Sequence, residues 1–335
     1  MTEVPKREYK KSDFTSSRDV KWCPGCGDYA ILAAVQKAMA ELGRPKENQV
    51  VVSGIGCSSR FPAYMDTFGF HSLHGRAPTV ATGVKVANPD LDIWIVTGDG
   101  DGFSIGGNHI MHAFRRNLDC VILLFNNRIY GLTKGQYSPT SETEKVTKSS
   151  PYGSVDAPVN PLQLALASNA SFVARTYDIN PKHMVETFKA AREHKGVSFV
   201  EIFQNCVIFN DGAFDDVIDR KVRADNTLEL QAGEPMIFGK EKDKCIVFDG
   251  FEPSIKNIAD VDEKDIAIHK PESINLAQLL AHFSEELPTP MGVLRKEDRP
   301  TYDAAANEQA KTVTQKKGAG CLNDLFRGKG HWEVK

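Results

Sequence analysis

The sequence lacks long apolar runs and a dominant charge of one sign. No window approaches about 18 consecutive apolar residues, so a membrane span is not predicted. The 41 basic and 44 acidic residues give a net charge of −3, which does not indicate nucleic acid or a membrane surface as a partner. Residues 1–17 also lack the apolar core of a signal peptide. We therefore expect a cytoplasmic protein that binds neither nucleic acid nor membranes.

The sequence also has too few cysteines for a fold held by disulfides. Seven cysteines are spread over 335 residues, whereas a secreted disulfide scaffold is short and rich in cysteine. In a reducing compartment, a Cys-x-x-Cys pair indicates a metal, a cluster or redox chemistry. Thiolates are the ligands that soft metals and iron–sulfur clusters select. The positions of the cysteines can therefore indicate whether the chain binds a metal or a cluster.

Helices and strands are predicted to alternate as far as residue 203. The predicted helices are 28–42, 105–116, 161–169 and 182–194, and the predicted strands are 50–52, 92–97, 120–125, 172–175 and 197–203. The strands are apolar throughout rather than alternately polar, which is typical of a parallel sheet covered by helices on both faces. The sequence therefore predicts a doubly wound, mostly parallel α/β fold, with ligands at the carboxyl ends of the strands.

The alternation of predicted helices and apolar strands ends after the strand at 197–203. We predict an N-terminal arm at 1–20, a sheet domain at 21–209 and a long irregular extension at 210–335. The extension contains one strand-like segment at 244–248 and one helical segment at 274–283 in an otherwise polar, proline-punctuated stretch. Because so long an unpatterned segment is uncommon in a compact enzyme, we expect it to pack on a partner subunit. A mobile tail is the alternative.

Two polar strand ends predict a site for magnesium and a diphosphate. Asp99 lies in a Gly-Asp-Gly turn after one predicted strand, and Asn127 follows the next strand about 25 residues later. Magnesium prefers oxygen ligands, which the Asp99 carboxylate, the Asn127 amide and the Ile129 carbonyl can supply. A Gly-Asp-Gly turn is common by itself. The second strand end at this spacing is what makes the motif specific.

Four cysteines lie at the ends of separate predicted elements. Cys23 and Cys26 precede the first helix, Cys57 follows the first strand, and Cys206 follows the last strand. These ends can bring four thiolates to one edge of the sheet. Structural zinc, a redox dithiol or unrelated buried thiols are alternatives, although zinc usually takes two close pairs and this chain has one. The three other cysteines are predicted to be structural: Cys120, Cys245 and Cys321.

Several motifs, taken together and in this order, resemble one known family. They are Trp22–Gly27, Gly54–Ser58, His74–Ala77, Gly98–Asp101, Asn126–Gln136 and Cys206. Over about residues 21–210 the chain closely resembles the β subunit of 2-oxoacid:ferredoxin oxidoreductases, most of all the two-subunit 2-oxoglutarate type (2-oxoglutarate synthase). The resemblance implies a sheet of the thiamine-diphosphate-binding type.

The resemblance also implies roles for individual residues. It implies a 4Fe–4S cluster on Cys23, Cys26, Cys57 and Cys206, and magnesium on Asp99, Asn127 and Ile129. The residues that would contact thiamine diphosphate are Ile55, Gly56, Cys57, Ser58, His74, Gly100, Asp101, Gly131 and Leu132. Lys134 and Arg60 resemble the positions that bind the substrate carboxylates, and with His74 they form the expected catalytic set.

The activity implied by the resemblance is the oxidative decarboxylation of 2-oxoglutarate to succinyl-CoA and CO2. The reaction is reversible and uses coenzyme A, with single electrons passing through the cluster to ferredoxin. No side chain here is an obvious general base, so an α subunit is expected to complete the site, in an (αβ)2 assembly. The alternatives are pyruvate or another 2-oxoacid as substrate, a non-oxidative thiamine-dependent decarboxylase or synthase, and a non-catalytic electron-transfer or zinc module.

Overall fold

The computed structural model describes residues 6–332 and 334 of the chain. The strands are β1 Gln49–Ser53, β2 Phe68–His71, β3 Asp92–Gly98, β4 Cys120–Asn126, β5 Phe172–Tyr177, β6 Val197–Phe203, β7 Thr227–Leu230, β8 Ile237–Phe238, β9 Lys244–Asp249, β10 Glu252–Asn257 and β11 Thr289–Lys296. The helices are α1 Asp28–Leu42, α2 Ala77–Ala87, α3 Gly107–Arg116, α4 Pro161–Ala167, α5 Pro181–Glu193, α6 Asp215–Ile218, α7 Arg223–Asn226, α8 Ile274–Ala281, α9 Tyr302–Lys317 and α10 Leu322–Arg327. None of the helices within the described residues is long and apolar enough to cross a membrane.

One sheet of eight strands organises the molecule. Its strand order is β2-β1-β3-β4-β6-β5-β11-β7, and the first six of these strands run parallel to one another. The strands β1, β3, β4, β5 and β6 are buried along nearly their whole length, as the apolar runs predict. The predicted doubly wound, mostly parallel α/β fold is confirmed.

Two hydrophobic cores lie on opposite faces of this sheet. Helices α2, α3, α4 and α8 pack on one face, around Ile95, Ile122 and Phe199. Helices α1 and α5 pack on the other face, around Trp94, Leu123 and other side chains of the same strands. Because successive side chains of a strand point to opposite faces, a fully apolar strand supplies both cores.

The helix predicted from residue 105 begins differently in the structure. Residues Asp101–Ile105 form a π-helical turn, in which the Gly106 N–H donates to the Asp101 carbonyl at 3.1 Å, and α3 begins at Gly107. A Cβ atom on Gly106 would lie 2.4 Å from that carbonyl oxygen, so only glycine fits the turn. Such turns are frequent at functional sites. This one places Asp101 at the carboxyl edge of the sheet.

The C-terminal region contributes directly to the main sheet. Strand β11 pairs antiparallel with β5 and parallel with β7, so two strands of 210–335 extend the sheet beyond the predicted boundary at 209. The sequence pattern missed β11 because Pro290 and Gly292 interrupt it. Strands β8, β9 and β10 form a separate small sheet. Helices α9 and α10 are largely exposed, and their packing on a partner subunit stays a prediction.

A buried ion-pair network ties α5 to the amino ends of β3 and β4. The Arg192 Nε atom lies 2.8 Å from an Asp92 carboxylate oxygen, and its Nη1 atom lies 3.0 Å from Asp119. Burial favours the neutral acids, but nearby positive charges have the larger effect. Arg192 and Arg44 hold the pKa of Asp92 below its usual range, and Arg192 and Lys85 do the same for Asp119. These carboxylates therefore stabilise the fold above the unfolded carboxyl pKa of about 3.9. That stabilisation is lost as pH falls through the lower folded pKa values.

We expect Arg192→Met to lower the free energy of unfolding by about 3–5 kcal/mol, because it leaves two buried carboxylates without their main partner. Chemical denaturation near neutral pH measures the change. The matched control is Lys182→Met on the same helix, whose exposed pair with Glu186 (3.9 Å) should contribute less than about 1 kcal/mol. A loss from Arg192→Met no larger than that of the control would contradict this account.

Candidate active site

A pocket opens at the carboxyl ends of β1, β3 and β4. Because these strands are parallel neighbours, the loops that follow them meet at one edge of the sheet. The pocket is lined by Asp28, Ile55, Gly56, Cys57, Ser58, His74, Gly98, Asp99, Gly100, Asp101, Phe125, Asn127, Ile129, Tyr130, Gly131, Leu132 and Thr133. The structure thus gathers around one pocket all the residues that the resemblance assigns to thiamine diphosphate and magnesium.

Asp99 is a buried carboxylate held by two hydroxyl groups. Its Oδ2 atom accepts hydrogen bonds from Ser138 at 2.6 Å and from Thr140 at 2.7 Å, and the side chain is only 2% exposed. Burial raises the pKa of Asp99, and the two hydroxyls oppose that shift. Both hydroxyls come from the loop after β4, and sequence reasoning missed them. The only signal was a run of hydroxyl residues in a polar loop.

Asn127 and Ile129 line the same pocket as Asp99. The Asn127 Oδ1 atom accepts the backbone N–H of Ile129 at 3.1 Å, and its amide nitrogen donates to Gln204 at 2.8 Å. The Asn127 side chain is therefore oriented from both ends. Together with the Asp99 carboxylate and the Ile129 carbonyl, its amide oxygen gives a set of hard oxygen donors, which is the chemistry that magnesium requires.

Asp101 organises the loops around the pocket. One carboxylate oxygen accepts from the Ile55 N–H at 3.0 Å, the Gly75 N–H at 2.7 Å and His74 Nδ1 at 2.6 Å. The other oxygen accepts from the Thr97 hydroxyl at 2.6 Å. Because protein donors occupy both oxygens, this side chain joins three loops at the wall of the pocket. The contact with Asp101 fixes the orientation of the His74 ring at the pocket wall.

Two glycines in the motifs are required by close packing. A Cβ atom on Gly100 would lie 2.2 Å from the ring of Tyr130, whose hydroxyl donates to the Gly100 carbonyl at 2.9 Å. A Cβ atom on Gly54 would lie 2.1 Å from the Asp101 carboxylate. Any larger side chain at either position would displace the groups that shape the pocket.

The structure places two of the four candidate cysteines, Cys57 and Cys206, beside Gly131 on the pocket wall. A Cβ atom on Gly131 would lie 3.5 Å from Cys206 Sγ and 3.7 Å from Cys57 Sγ. The Cys26 sulfur accepts a hydrogen bond from Gln204 at 3.3 Å. Cys23 is exposed, and its carbonyl accepts the Cys26 N–H at 3.1 Å in the turn before α1.

Backbone contacts join the three segments that carry these cysteines. The Trp22 indole N–H donates to the Cys57 carbonyl at 2.7 Å, and the Gly27 N–H donates to the Asn205 carbonyl at 3.2 Å. Burial raises the pKa of Cys57 to about 11 and also raises the pKa values of Cys26 and Cys206. In residues 6–332, no three His, Cys, Asp or Glu side chains are close enough to hold one metal ion.

Two predicted catalytic cations lie outside the pocket. Lys134 (φ 76°) lines a separate surface hollow with Lys148 and Phe209. Arg60 donates to the Lys21 carbonyl at 3.0 Å and lies on the cysteine side of the sheet edge, where its charge opposes the rise in the Cys57 pKa. In this chain, therefore, neither cation joins His74 at the pocket.

The class of protein follows from comparison with known families. Residues 54–202 match the family described as thiamine pyrophosphate enzyme, C-terminal TPP binding domain. This range begins directly after β1 and contains β2, β3, β4, β5 and all but the last residue of β6. It also contains the whole lining of the pocket apart from Asp28. The fold is therefore of the thiamine-diphosphate-binding class.

Full-length relatives define the family more closely. The 2-oxoglutarate oxidoreductase subunit KorB of Mycobacterium tuberculosis is 48% identical over 331 residues, covering 97% of this chain and 88% of the relative. The β subunit of 2-oxoacid:ferredoxin oxidoreductase 1 of Aeropyrum pernix is 50% identical over 190 residues, which cover 57% of this chain and 60% of that protein. The chain belongs to the family of 2-oxoacid:ferredoxin oxidoreductase β subunits and is thus a subunit of an oxidoreductase.

A solved structure supports the same assignment over nearly the whole chain. The 2-oxoglutarate:ferredoxin oxidoreductase from Magnetococcus marinus, solved with 2-oxoglutarate, coenzyme A and succinyl-CoA bound, matches with a TM-score of 0.75 and 36% identity. The match covers 95% of this chain and 94% of that chain. The family predicted from the sequence motifs is confirmed.

We expect Thr140→Val to weaken thiamine diphosphate binding by about tenfold, because Asp99 loses one of its two hydroxyl donors and becomes harder to ionise. Calorimetric titration of the complex with its partner subunit, in the presence of a magnesium salt, measures this affinity. Thr143→Val is the matched control, since that hydroxyl lies on the exposed part of the same loop and bonds only the Asp156 carbonyl. Equal affinities for the two variants would contradict the role given to Thr140.

Proposed function

We propose that this chain is the β subunit of a coenzyme A-dependent enzyme that oxidatively decarboxylates 2-oxoglutarate to succinyl-CoA and CO2 and passes single electrons to ferredoxin. The position of Cys57 carries the proposal. It lines the pocket that contains Asp99, and its sulfur, like that of Cys206, lies beside Gly131. Thiols beside a thiamine diphosphate pocket favour an oxidative enzyme over a non-oxidative decarboxylase, because the non-oxidative enzyme needs no cluster ligands.

In this proposal, Asp99, Asn127 and Ile129 hold the magnesium ion of thiamine diphosphate. The cofactor contacts are assigned to Ile55, Gly56, Cys57, Ser58, His74, Gly100, Asp101, Gly131 and Leu132. Bound thiamine diphosphate supplies an electron sink for the carbon–carbon cleavage. The protein binds and orients it, with the His74 ring fixed by Asp101 at the wall of the pocket.

Cys23, Cys26, Cys57 and Cys206 are the proposed ligands of a 4Fe–4S cluster. Three observations support the assignment: the sulfurs of Cys57 and Cys206 flank one glycine, a buried amide donates to Cys26, and the N-terminus of α1 lies directly after Cys26. Thiolates suit iron–sulfur clusters, and a helix N-terminus favours a negatively charged centre. Since burial raises the pKa values of the Cys26, Cys57 and Cys206 thiols and keeps them protonated in the metal-free chain, loading the cluster must release protons.

An α subunit is proposed to complete the active site. The two carboxylates of the strand ends, Asp99 and Asp101, are engaged by protein donors and are poorly placed to act as a general base. Lys134 and Arg60 can bind substrate carboxylates only if the partner subunit extends the pocket toward them. An (αβ)2 assembly in the cytoplasm, with residues 210–335 packing partly on a partner, belongs to the same proposal.

The choice of 2-oxoglutarate is supported by the Magnetococcus marinus structure, whose bound ligands are 2-oxoglutarate, coenzyme A and succinyl-CoA. We expect the αβ complex, purified without oxygen, to reduce ferredoxin at least about tenfold faster with 2-oxoglutarate than with pyruvate or branched-chain 2-oxoacids. Initial rates of ferredoxin reduction at matched substrate concentrations measure the preference. Equal rates, or faster turnover of pyruvate, would overturn the substrate assignment.

The cluster assignment is tested by Cys206→Ser. We expect this variant to lose most of its cluster absorbance and iron content and to reduce ferredoxin at close to the background rate, because one of four ligands is gone. Thiamine diphosphate should still bind, since the oxygen donors are unchanged. Cys321→Ser in the exposed C-terminal segment is the control and should behave as the wild type. Full cluster content in the Cys206 variant would count against the assignment.

A further inference from the structure

Gln204 is a buried amide that touches both halves of the site. It follows β6 and is 1% exposed. Its Oε1 atom accepts a hydrogen bond from the Asn127 amide at 2.8 Å. Its Nε2 atom lies 3.3 Å from Cys26 Sγ and 2.6 Å from the carbonyl oxygen of Asn205. One planar side chain therefore contacts a proposed magnesium ligand and a proposed cluster ligand.

The direction of these hydrogen bonds is fixed by a backbone donor. The Ile129 N–H can only donate, so the oxygen of the Asn127 amide must face it, at 3.1 Å. The Asn127 nitrogen then faces Gln204, which must present its oxygen in return. That leaves the Gln204 nitrogen for the Cys26 sulfur and the Asn205 carbonyl, both of which are acceptors. The chain of contacts is consistent in only one orientation of the two amides.

We propose that Gln204 is a positioning residue that joins the two cofactor sites, since it orients the Asn127 amide with its oxygen and donates a hydrogen bond to the Cys26 sulfur with its nitrogen. The inference rests on the proposed function, because it needs a cluster on Cys26 and a diphosphate site at Asn127. It adds a residue that none of the sequence motifs contains.

The two hydrogen bonds have different consequences. A donor to a cluster thiolate stabilises the more negative, reduced state, and hydrogen bonds to the sulfurs are among the factors that set cluster potentials. The acceptor atom of Gln204 holds the Asn127 amide in the orientation that places its oxygen at the Ile129 N–H, on the wall of the pocket. Gln204 should therefore influence both the reduction potential of the cluster and the affinity for thiamine diphosphate.

Two substitutions separate these effects. Gln204→Met keeps the length of the side chain but removes both hydrogen bonds, so we expect the reduction equilibrium constant of the cluster to fall roughly tenfold, which is about 59 mV for one electron. Thiamine diphosphate affinity should also fall about tenfold. Gln204→Glu at alkaline pH keeps an acceptor for Asn127 but places a carboxylate oxygen at the Cys26 sulfur. It should lower the potential at least as much while retaining most of the cofactor affinity.

The experiment uses the αβ complex purified without oxygen, with iron analysis to confirm cluster loading. Spectroscopic redox titration gives the potential, and calorimetry with thiamine diphosphate and magnesium gives the affinity. Gln36→Met is the matched control, because Gln36 is a buried amide on α1 whose long 3.5 Å bond to the Tyr64 carbonyl touches neither site. It should leave both quantities unchanged.

The outcomes distinguish this inference from the proposed function. If the wild-type complex carries no cluster or binds no thiamine diphosphate, the proposed function itself is wrong. If the wild type has both and Gln204→Met shifts neither quantity beyond the Gln36→Met control, the role of Gln204 is refuted. A change in affinity without a change in potential would also refute the coupling, since it would leave Gln204 as a support for Asn127 alone.

Discussion

The parallel pairing of β1, β3, β4 and β6 is the constraint on which the rest of the site depends. Parallel neighbours end at the same edge of a sheet, so segments that are far apart in the sequence become adjacent without any direct contact being specified between them. The turn with Cys57, the turn with Asp99, the loop with Asn127 and the segment with Cys206 each follow one of these four strands. If one of these strands shifted in register, the site residue that follows it would move away from the other three.

Burying acidic groups at this edge requires dedicated hydrogen-bond donors. Asp99 is held by the Ser138 and Thr140 hydroxyls, and Asp101 by two backbone amides, a histidine and a threonine. Without these donors, burial would favour the protonated acids, which bind cations poorly. The long irregular loop after β4 therefore has a clear structural purpose, because it supplies the two hydroxyls that satisfy Asp99.

The same edge explains why the chain functions with a partner. The pocket opens at the rim of the sheet, and Ile55 and Leu132 on its wall are exposed in this subunit. The predicted substrate cations lie outside the pocket, and the two acids that follow β3, Asp99 and Asp101, are engaged in hydrogen bonds. Family membership as a β subunit agrees with a pocket that is open at the rim of this chain.

Much of the fold and the motif residues could be predicted from the sequence. Helix α1 and strand β6 have the predicted bounds, because each is a long segment with a clear pattern and, for α1, a terminating glycine with φ 64°. Strands β2 and β11 were missed, since the first is short and exposed and the second contains Pro290 and Gly292. The predicted boundary at residue 209 ignored β7 and β11, whose place in the sheet depends on long-range pairing.

The sequence by itself determined the alternation of apolar strands and helices, the spacing of the Gly-Asp-Gly and Asn-Asn turns, and the four cysteines at element ends, because these depend on local chemistry. Only the tertiary structure decided which side chains satisfy which others. It paired Thr140 with Asp99, joined Asp101 to the loops around it, and placed Gln204 between Asn127 and Cys26. These contacts join residues from different strands and loops, so the sheet must form before they exist.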